Sequence, residues 1–395
     1  MKIVEIPSFF PPYGGEFCIE QSKALRAAGN NIAILANVQT GMRFGMKKYL
    51  TETSKCIQTD IDGIKVYRKN MRGLPMCVKL NFIRWFSDVE KMFKDYVDSN
   101  GLPDIIHAHC AKWAGYAAKH IASEYGLPFV ITEHLPSMIF RDEFGEAPSD
   151  AWQIPLLKGA YTAADMVVVV SAELVDDISC YFGKDYKWTE ISNTIDTDFF
   201  AYRDRKPLLG RKMRFCCLAN FIPRKGYDVL FKSFDKFAAC HDNVELYIAG
   251  KFTDGQECHD MIDKMRCKDK VIVCGELNKH EVRELLYESD CLVFASRNES
   301  QGLVLLEAMS TGIPVISTDC VPKNVRISEG VMLVPTDGID RLCESMETFA
   351  SGGFKVDGRR LSQIVADKVS PERIGIRLSE LMRNIVNEHK RKAAE

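Results

Sequence analysis

Two glutamates, Glu299 and Glu307, stand with seven residues between them in Ser296-Arg-Asn-Glu299-Ser-Gln-Gly302-Leu303-Val304-Leu-Leu-Glu307-Ala-Met-Ser-Thr-Gly-Ile-Pro314. The block follows a short apolar run, sets Gly302 where a helix would start, and carries Glu307 on that helix. A carboxylate on a loop beside exposed helix N–H groups can bind sugar hydroxyls, and a second one near the same helix can take a ribose. Upstream, Leu218-Ala-Asn220-Phe-Ile-Pro-Arg224-Lys225-Gly226 leaves one apolar run and enters a helix predicted over Tyr227 to Ala239. Two cations ahead of a helix N-terminus make a site for a diphosphate, whose charge they would stabilise as it grows on a leaving group. Two solvated surface charges is the competing reading, and composition does not choose between them.

The N-terminal half offers weaker signals. Gly14-Gly15 lies between an apolar run and a predicted helix from about Glu16 to Gly29. Paired glycines there let a backbone approach an anion, and a tight turn needing positive φ explains them equally well. Neither GxGxxG nor GxxxxGK[ST] occurs, so a dinucleotide fingerprint and a P-loop are excluded. His107 and His109, in Asp104-Ile-Ile-His-Ala-His109, flank the predicted carboxyl end of a strand, where alternation turns both to one side. There is no HExxH, and apart from Cys110 nothing nearby in sequence supplies a carboxylate or thiolate at ligand spacing, so no metal site is expected. His109 is a candidate for substrate contact, and Glu133-His134 is a second polar pair in an equivalent place.

These residues need a scaffold, and the hydrophobic pattern specifies one. Short β-branched runs alternate with segments of helical period, the arrangement that builds parallel sheets covered by helices. Strands are predicted at Ile3 to Ile6, Ile32 to Ala36, Ile64 to Tyr67, Asp104 to His107, Phe129 to Thr132 and Met166 to Val170. A second set runs Phe215 to Ala219, Val244 to Ala249, Val271 to Cys274, Leu292 to Ala295, Val315 to Ser317 and Val331 to Val334. The polar stretch Asn193 to Lys212 reads as the connection between them. A length of 395 residues suits two lobes of this kind. The expectation is an α/β protein of two Rossmann-like domains facing a cleft: residues 1–192, and residues 193–370. The amphipathic segment 371–395 closes the chain as a helix packing back on the first.

Composition excludes several function classes. With 46% hydrophobic and 27% charged residues the chain is a packed globular protein, not a disordered or collagenous one. Lys plus Arg number 52 against 54 Asp plus Glu, which disfavours a protein built around nucleic acid. The 14 cysteines are scattered with no CxxC, Cys216 and Cys217 reading as small core residues, so a reduced compartment is expected. The opening residues lack a signal-peptide apolar stretch and no window is long and apolar enough to span a bilayer, which points to a cytoplasmic protein. One segment is unusual: Lys65 to Trp85 holds Lys65, Arg68, Lys69, Arg72, Lys79 and Arg84 with no acid, interleaved with Tyr67, Leu74, Met76, Leu80, Phe82 and Trp85. It reads either as a face resting on the anionic inner surface of the plasma membrane or as a solvated face with a buried aromatic side.

Glu299 and Glu307 with the following EAMSTGIPVIST resemble the EX7E block of the large retaining glycosyltransferase family called family 4, of GT-B fold. Gly14-Gly15 is similar to its N-terminal glycine pair, His109 to its N-lobe active-site histidine, Ser192 to Phe200 to the segment opening its C-lobe, and Arg224-Lys225-Gly226 to its diphosphate loop. The resemblance covers nearly the whole chain and implies a bacterial polysaccharide-biosynthesis hexosyltransferase using a UDP- or GDP-sugar without a metal or other cofactor. Its acceptor would be a glycan or lipid-linked saccharide. On that resemblance Glu307 would hold the ribose, and Gly302, Leu303 and Val304 would offer N–H groups to diphosphate and sugar. Glu299 would contact the donor sugar, Lys225 would neutralise the departing diphosphate, His109 would lie against the transferred sugar, and Gly275, Glu276 and Leu277 would line the base. Two departures stand out: Asn220 occupies a position where the family often has arginine, so Arg224 is expected to supply that charge, and Val321-Pro322 replaces a familiar glycine pair. Asp196-Thr-Asp198 and Asp60-Ile-Asp62 look like the metal-binding DxD of single-domain GT-A enzymes, but the two strand sets and the EX7E block mark both as loop residues. A sugar-nucleotide 2-epimerase and a non-catalytic bilobal sugar-binding protein share the two-lobe pattern.

Overall fold

A computed structural model describes the chain except residues 43–45, 52–53, 146–150 and 205–209, so Arg205, Lys206 and Pro207 of the predicted connection lie outside the described residues. The chain forms two compact units, Met1–Thr194 with Pro371–Glu395, and Ile195–Ser370.

The first unit holds an eight-stranded sheet of β1 (Lys2–Pro7), β2 (Asn31–Thr40), β3 (Ile57–Ile61), β4 (Ile64–Arg72), β5 (Ile105–His109), β6 (Phe129–Glu133), β7 (Met166–Val169) and β8 (Trp188–Glu190), in the order β3-β4-β2-β1-β5-β6-β7-β8. All neighbours are parallel except the β3-β4 hairpin. Val167, Val168 and Val169 are fully buried, as a strand covered by helices on both faces requires. The second unit is an all-parallel sheet of β9 (Met213–Leu218), β10 (Val244–Ala249), β11 (Val271–Gly275), β12 (Cys291–Phe294), β13 (Val315–Thr318) and β14 (Val331–Val334), ordered β11-β10-β9-β12-β13-β14.

Strands β3 and β8 have no counterpart in the hydrophobic pattern. Four of the five β3 residues are exposed, and β8 has three residues, so neither leaves an apolar alternation to read. Asp60 consequently sits in a strand and not in a loop, its Oδ1 accepting from Gly63 N at 2.7 Å, while Asp62 at the turn pairs with Lys23 at 2.9 Å. Asp196 is a loop residue that accepts from Phe199 N at 3.0 Å and meets Lys279 at 3.1 Å. The closing helix, Pro371–Ala394, packs on the first unit, where Asn30 donates to Ser379 Oγ at 3.0 Å and Arg377 to Glu190 O at 3.0 Å.

In each sheet the strand order reverses once, between β1 and β5 and between β9 and β12. Open α/β sheets bind ligands beyond the strand carboxyl ends at such a point, because the connections on either side leave in opposite directions and open a crevice. Ser8 to Gly15 follows β1, and His109 ends β5 with Cys110 to Gly115 following it; Ala219 to Gly226 and Ala295 to Gly302 follow β9 and β12. Gly14, Gly15, His109, Asn220, Arg224, Lys225, Glu299 and Gly302 lie in these four segments.

Candidate active site

In the second unit the loop after β12 is built around a largely buried ion pair. Lys225 and Glu299 are in direct contact with side chains 13% and 8% exposed, Ser296 Oγ donates to Glu299 Oε1 at 2.6 Å, and the Lys225 ammonium lies 5.1 Å from the Phe294 ring centroid. Lys225 ends a single turn, Pro223–Lys225, that leads into the helix Tyr227–Ala238. That turn is tied down from β12: Arg297 N donates to Arg224 O at 2.7 Å, and the Arg297 guanidinium grips Asp228 with two bonds of 2.9 and 2.8 Å, Asp337 at 2.7 Å and Pro223 O at 2.8 Å. A bidentate guanidinium–carboxylate pair fixes orientation as well as distance, so Arg297 sets the position of the Arg224-Lys225 turn. Sequence reasoning passed over Ser296, Arg297 and Asp228; the last two meet across 69 residues, and no local spacing signals that pair.

Gly302, with φ 79°, caps the helix Leu303–Ser310 in a left-handed conformation that a side chain would disfavour. The first-turn N–H groups of such a helix have no intrahelical acceptors, which suits them to an anion. Glu307, on the same helix, lines a cavity of about 240 Å³ together with Asn220, Lys251, Glu276, Leu277 and Val304. Lys251 and Glu276 pair across its mouth at 3.4 Å, and Asn220 Oδ1 accepts from Lys251 N at 3.1 Å. The structure thus collects Asn220, Glu276, Leu277, Val304 and Glu307 around one cavity and joins Lys225 to Glu299. Gly275 ends β11 beside it. Val321 is fully buried, and Cys320 donates to Ser296 O at 3.0 Å, so the Val321-Pro322 substitution turns that loop into packing for the Glu299 segment.

In the first unit Gly14 and Gly15 have φ of 93° and 88°, and a Cβ on Gly15 would collide with the Phe9 carbonyl oxygen. The tight-turn reading of the pair is therefore sufficient by itself. The register pairs Glu5 with His107 and Pro7 with His109 across β1 and β5, and the two-residue period turns Glu5, His107 and His109 to one side. Glu5 Oε1 lies 3.1 Å from His107 Nδ1 and Oε2 lies 3.4 Å from His109 Nε2; Ser22 donates to Oε2, and the Cys18 thiol is 3.6 Å away. His107 Nε2 meets Thr132 Oγ1 at 2.7 Å, and His109 Nδ1 meets His134 Nε2 at 3.4 Å.

No carboxylate stands at ligand spacing along the sequence, but one lies beside the histidines in space. Glu5 is brought there by strand pairing over 102 residues, which ligand spacing along the chain cannot reveal. The ligand atoms of Glu5, His107 and His109 lie within 4.8 Å of one another, close enough for a cation, and hydrogen bonds among the same groups account for them as well. Burial alone would raise the Glu5 carboxyl, but the bonds from His107 and His109 outweigh it and hold it far below the usual carboxylate range. Burial, helped by the neighbouring His107, pushes His109 down to about 4 against the pull of Glu5, and burial holds His134 well below the usual imidazole value. Near neutrality Glu5 is a carboxylate, and the His109 and His134 rings are neutral. The His109 ring itself is enclosed, with 1% of its side chain exposed.

Glu133 has a different role from the polar partner suggested by sequence. Its carboxylate accepts from Ala111 N at 2.8 Å, His134 N and Leu135 N at 2.9 Å each, and the Tyr161 hydroxyl at 2.5 Å. It thereby holds the turn after β5, in which Cys110 and Trp113 take left-handed φ of 69° and 66°. Such conformations persist only where surrounding contacts over-determine them. Ser8 supplies more, donating to His109 O at 2.8 Å and accepting from Ala114 N at 3.3 Å. The turn aims Lys112 and Trp113 into a cavity of about 560 Å³ lined also by Phe9, Tyr13, Gln39 and Asn81.

Two α/β units, the second with a cation and carboxylates at the switch point of its sheet, are the frame against which the comparisons with known proteins are set. Residues 15–199 match the family described as "Glycosyltransferase Family 4", and residues 198–353 that described as "Glycosyl transferases group 1". The chain belongs to the family 4 glycosyltransferases of GT-B fold. It is 24% identical over 329 residues to a glycogen synthase of Mycobacterium tuberculosis, covering 81% of this chain and 78% of that protein. It is 24% identical over 337 residues to the putative teichuronic acid biosynthesis glycosyltransferase TuaC of Bacillus subtilis, covering 81% of each. The fold matches sucrose-phosphate synthase of Thermosynechococcus elongatus with a TM-score of 0.77 at 17% identity, over 98% of this chain and 100% of that one. It matches Anabaena HepE in complex with UDP with a TM-score of 0.72 at 16% identity, over 97% and 100%. The protein is a glycosyltransferase.

Proposed function

We propose that this glycosyltransferase moves a hexose, with retention at the anomeric carbon, from a UDP- or GDP-sugar bound by the second unit to a glycan or lipid-linked saccharide bound by the first, in cell-surface polysaccharide assembly. The observation that carries the reading is the Lys225–Glu299 pair beside the Gly302-capped helix and the Glu307 cavity. A diphosphate seated against the first turn of that helix has Lys225 for its developing charge, Glu307 for the ribose and Glu299 for sugar hydroxyls. The C1–O bond to the diphosphate breaks as the acceptor oxygen bonds C1 from the same face, and the acceptor proton passes to the departing diphosphate oxygen. Lys225 supplies the cation, so no metal or other cofactor is needed. The UDP complex of HepE and the teichuronic acid biosynthesis in the TuaC name support the donor and pathway reading.

Ligand binding to the folded state alone adds about 2.7 kcal/mol at roughly 100 times Kd. A thermal-shift panel of UDP, GDP and ADP with their sugar conjugates is expected to show a rise in Tm with one base, abolished in Glu307→Ala. A rise that survives Glu307→Ala would place the nucleotide elsewhere.

Among the described residues no helix is long and apolar enough to cross a membrane. The acid-free stretch nevertheless offers a face to a bilayer surface. Its aromatic members Phe82 and Trp85 are core, whereas Leu74, Met76, Val78, Leu80 and Ile83 are exposed, Met76 at 98%, beside Arg72, Lys79 and Arg84. The Tyr49 hydroxyl donates to Gly73 O at 3.1 Å and brings exposed Met46 and Leu50 of the helix Met46–Thr51 to the same region. Aliphatic side chains set among cations suit an anionic lipid surface, and peripheral attachment to the cytoplasmic face of the membrane follows on this reading. The protein is expected to float with vesicles containing anionic lipid and to lose flotation in Met76→Glu with Leu80→Glu; no flotation of the native chain would remove the membrane from the account.

A further inference from the structure

Phe252, in the turn between β10 and the helix Gln256–Ile262, carries two features that the fold of the second unit does not call for. Its φ of 68° is left-handed, where a bulky side chain is an outlier, and the residue is 63% exposed. A single exposed apolar side chain is ordinary on a protein surface, but one held in a strained backbone is not. The conformation is imposed from both sides. Gly250 N donates to Gly275 O at 2.8 Å, Lys251 N donates to Asn220 Oδ1 at 3.1 Å, and Lys251 O accepts from Phe221 N at 2.8 Å. Thr253 is fully buried, its hydroxyl donating to Gly250 O at 2.8 Å, and Gly255 N closes the turn on Phe252 O at 3.1 Å. The turn is thereby tied to the loop after β9 and to the end of β11, and Phe252 stands at its tip.

Its position gives the ring a use. Gly250 and Lys251, the two residues before it, line the cavity of about 240 Å³ together with Asn220, Glu276 and Glu307. Asp254, two residues after it, lies against Gly275, where a Cβ would sit 3.7 Å from the Asp254 Oδ2. Phe252 therefore belongs to the rim of that cavity. In a nucleotide the diphosphate and the base leave opposite ends of the ribose. With the ribose on Glu307 and the diphosphate at the Gly302 end of the same helix, the part of the cavity bounded by Gly250, Lys251 and Glu276 is left for the base. Lys251 and Glu276, paired at 3.4 Å, offer a donor and an acceptor to its edge, but neither covers its face. That face is flat and apolar, and an aromatic ring laid against it removes both surfaces from water.

We propose that Phe252 is a nucleobase-binding residue of the second unit, its ring closing over the face of the base whose edge meets Lys251 and Glu276. The assignment rests on the nucleotide-sugar reading above and adds to it what holds the base: a stacked face beside a charged edge. Every base has such a face, so the ring supplies affinity whichever base is bound. The left-handed turn is then the means by which an aromatic side chain is held out at the rim and not folded into the core.

Isothermal titration calorimetry on the full chain with UDP, GDP, ADP and inorganic diphosphate tests this. Phe252→Gly keeps the turn, which glycine favours, and removes the ring. The nucleoside diphosphate that binds the native chain is expected to bind this variant about tenfold more weakly, the scale of one lost base–aromatic stack. Phe252→Tyr, which keeps the aromatic face, is expected to retain the native affinity, and inorganic diphosphate, which has no base, to bind all three proteins alike. Without ligand, Phe252→Gly is expected to melt no lower than the native chain, because a strained position is relieved and little packing is lost. Undiminished nucleoside diphosphate affinity in Phe252→Gly would overturn the proposal while leaving the donor site in place. An equal loss for inorganic diphosphate would overturn it too, since the loop itself would then have shifted, and a lower Tm would make the ring part of the fold. If none of the three nucleoside diphosphates binds the native chain, the donor-site reading fails first and the base contact falls with it.

Discussion

Lys225→Ala is expected to lower turnover by about 10²–10³-fold, the usual consequence of deleting one preorganised charge that stabilises a leaving group. Its effect on the fold is separable. Lys225 and Glu299 are mostly enclosed, so removing the lysine leaves a carboxylate in a poorly solvated place with Ser296 as its remaining donor of the pair. Breaking such a pair from one side costs about 3 kcal/mol or more, whereas neutralising both partners costs much less. The double variant Lys225→Ala with Glu299→Gln should therefore recover most of the stability lost in the single variant and none of the turnover. Steady-state kinetics and urea denaturation on the three proteins decide the matter. Full activity in stable Lys225→Ala would remove Lys225 from the chemistry and leave the ion pair as architecture.

The second large effect is on folding. Glu133→Ala strands three backbone N–H groups and the Tyr161 hydroxyl, all turned towards a fully buried carboxylate. Each unsatisfied buried donor costs about 1–3 kcal/mol, partly relieved by water entering the space, so a loss of about 3–5 kcal/mol is expected. The strained turn at Cys110 and Trp113 would also lose its clamp, and the cavity that Trp113 lines would lose its wall. Glu133→Gln keeps an acceptor oxygen and should fall between. A urea midpoint for Glu133→Ala within 1 kcal/mol of the native protein would show that the turn holds itself.

The contrast between Glu133 and Glu5 shows where reading the chain stopped. Both are carboxylates in strands, and neither spacing nor composition distinguishes them from surface charges. Glu133 proved to be a scaffold for backbone groups, and Glu5 the charge beside two buried imidazoles, because β1, β5 and β6 lie side by side in one register. The same holds for Arg297, whose grip on Asp228 and Asp337 spans loops far apart in sequence. The basic stretch was half legible: its charge was plain, but which apolar residues face inward depended on β4 pairing with β2 and on how the helix Val78–Asn100 packs.

What the sequence by itself determined was the alternation of strand and helix, the two sheets, and the Glu299, Glu307 and Lys225 positions, because hydrophobic periodicity and glycine-punctuated loops are local signals that survive without coordinates. The β3 and β8 strands escaped it, since an exposed or three-residue strand buries too little to leave a pattern. Only the tertiary structure decided which carboxylate faces which ring and which carboxylate holds backbone N–H groups. Those facts depend on strand register and on distances of a few ångströms between residues about a hundred positions apart, and no spacing along a chain encodes them.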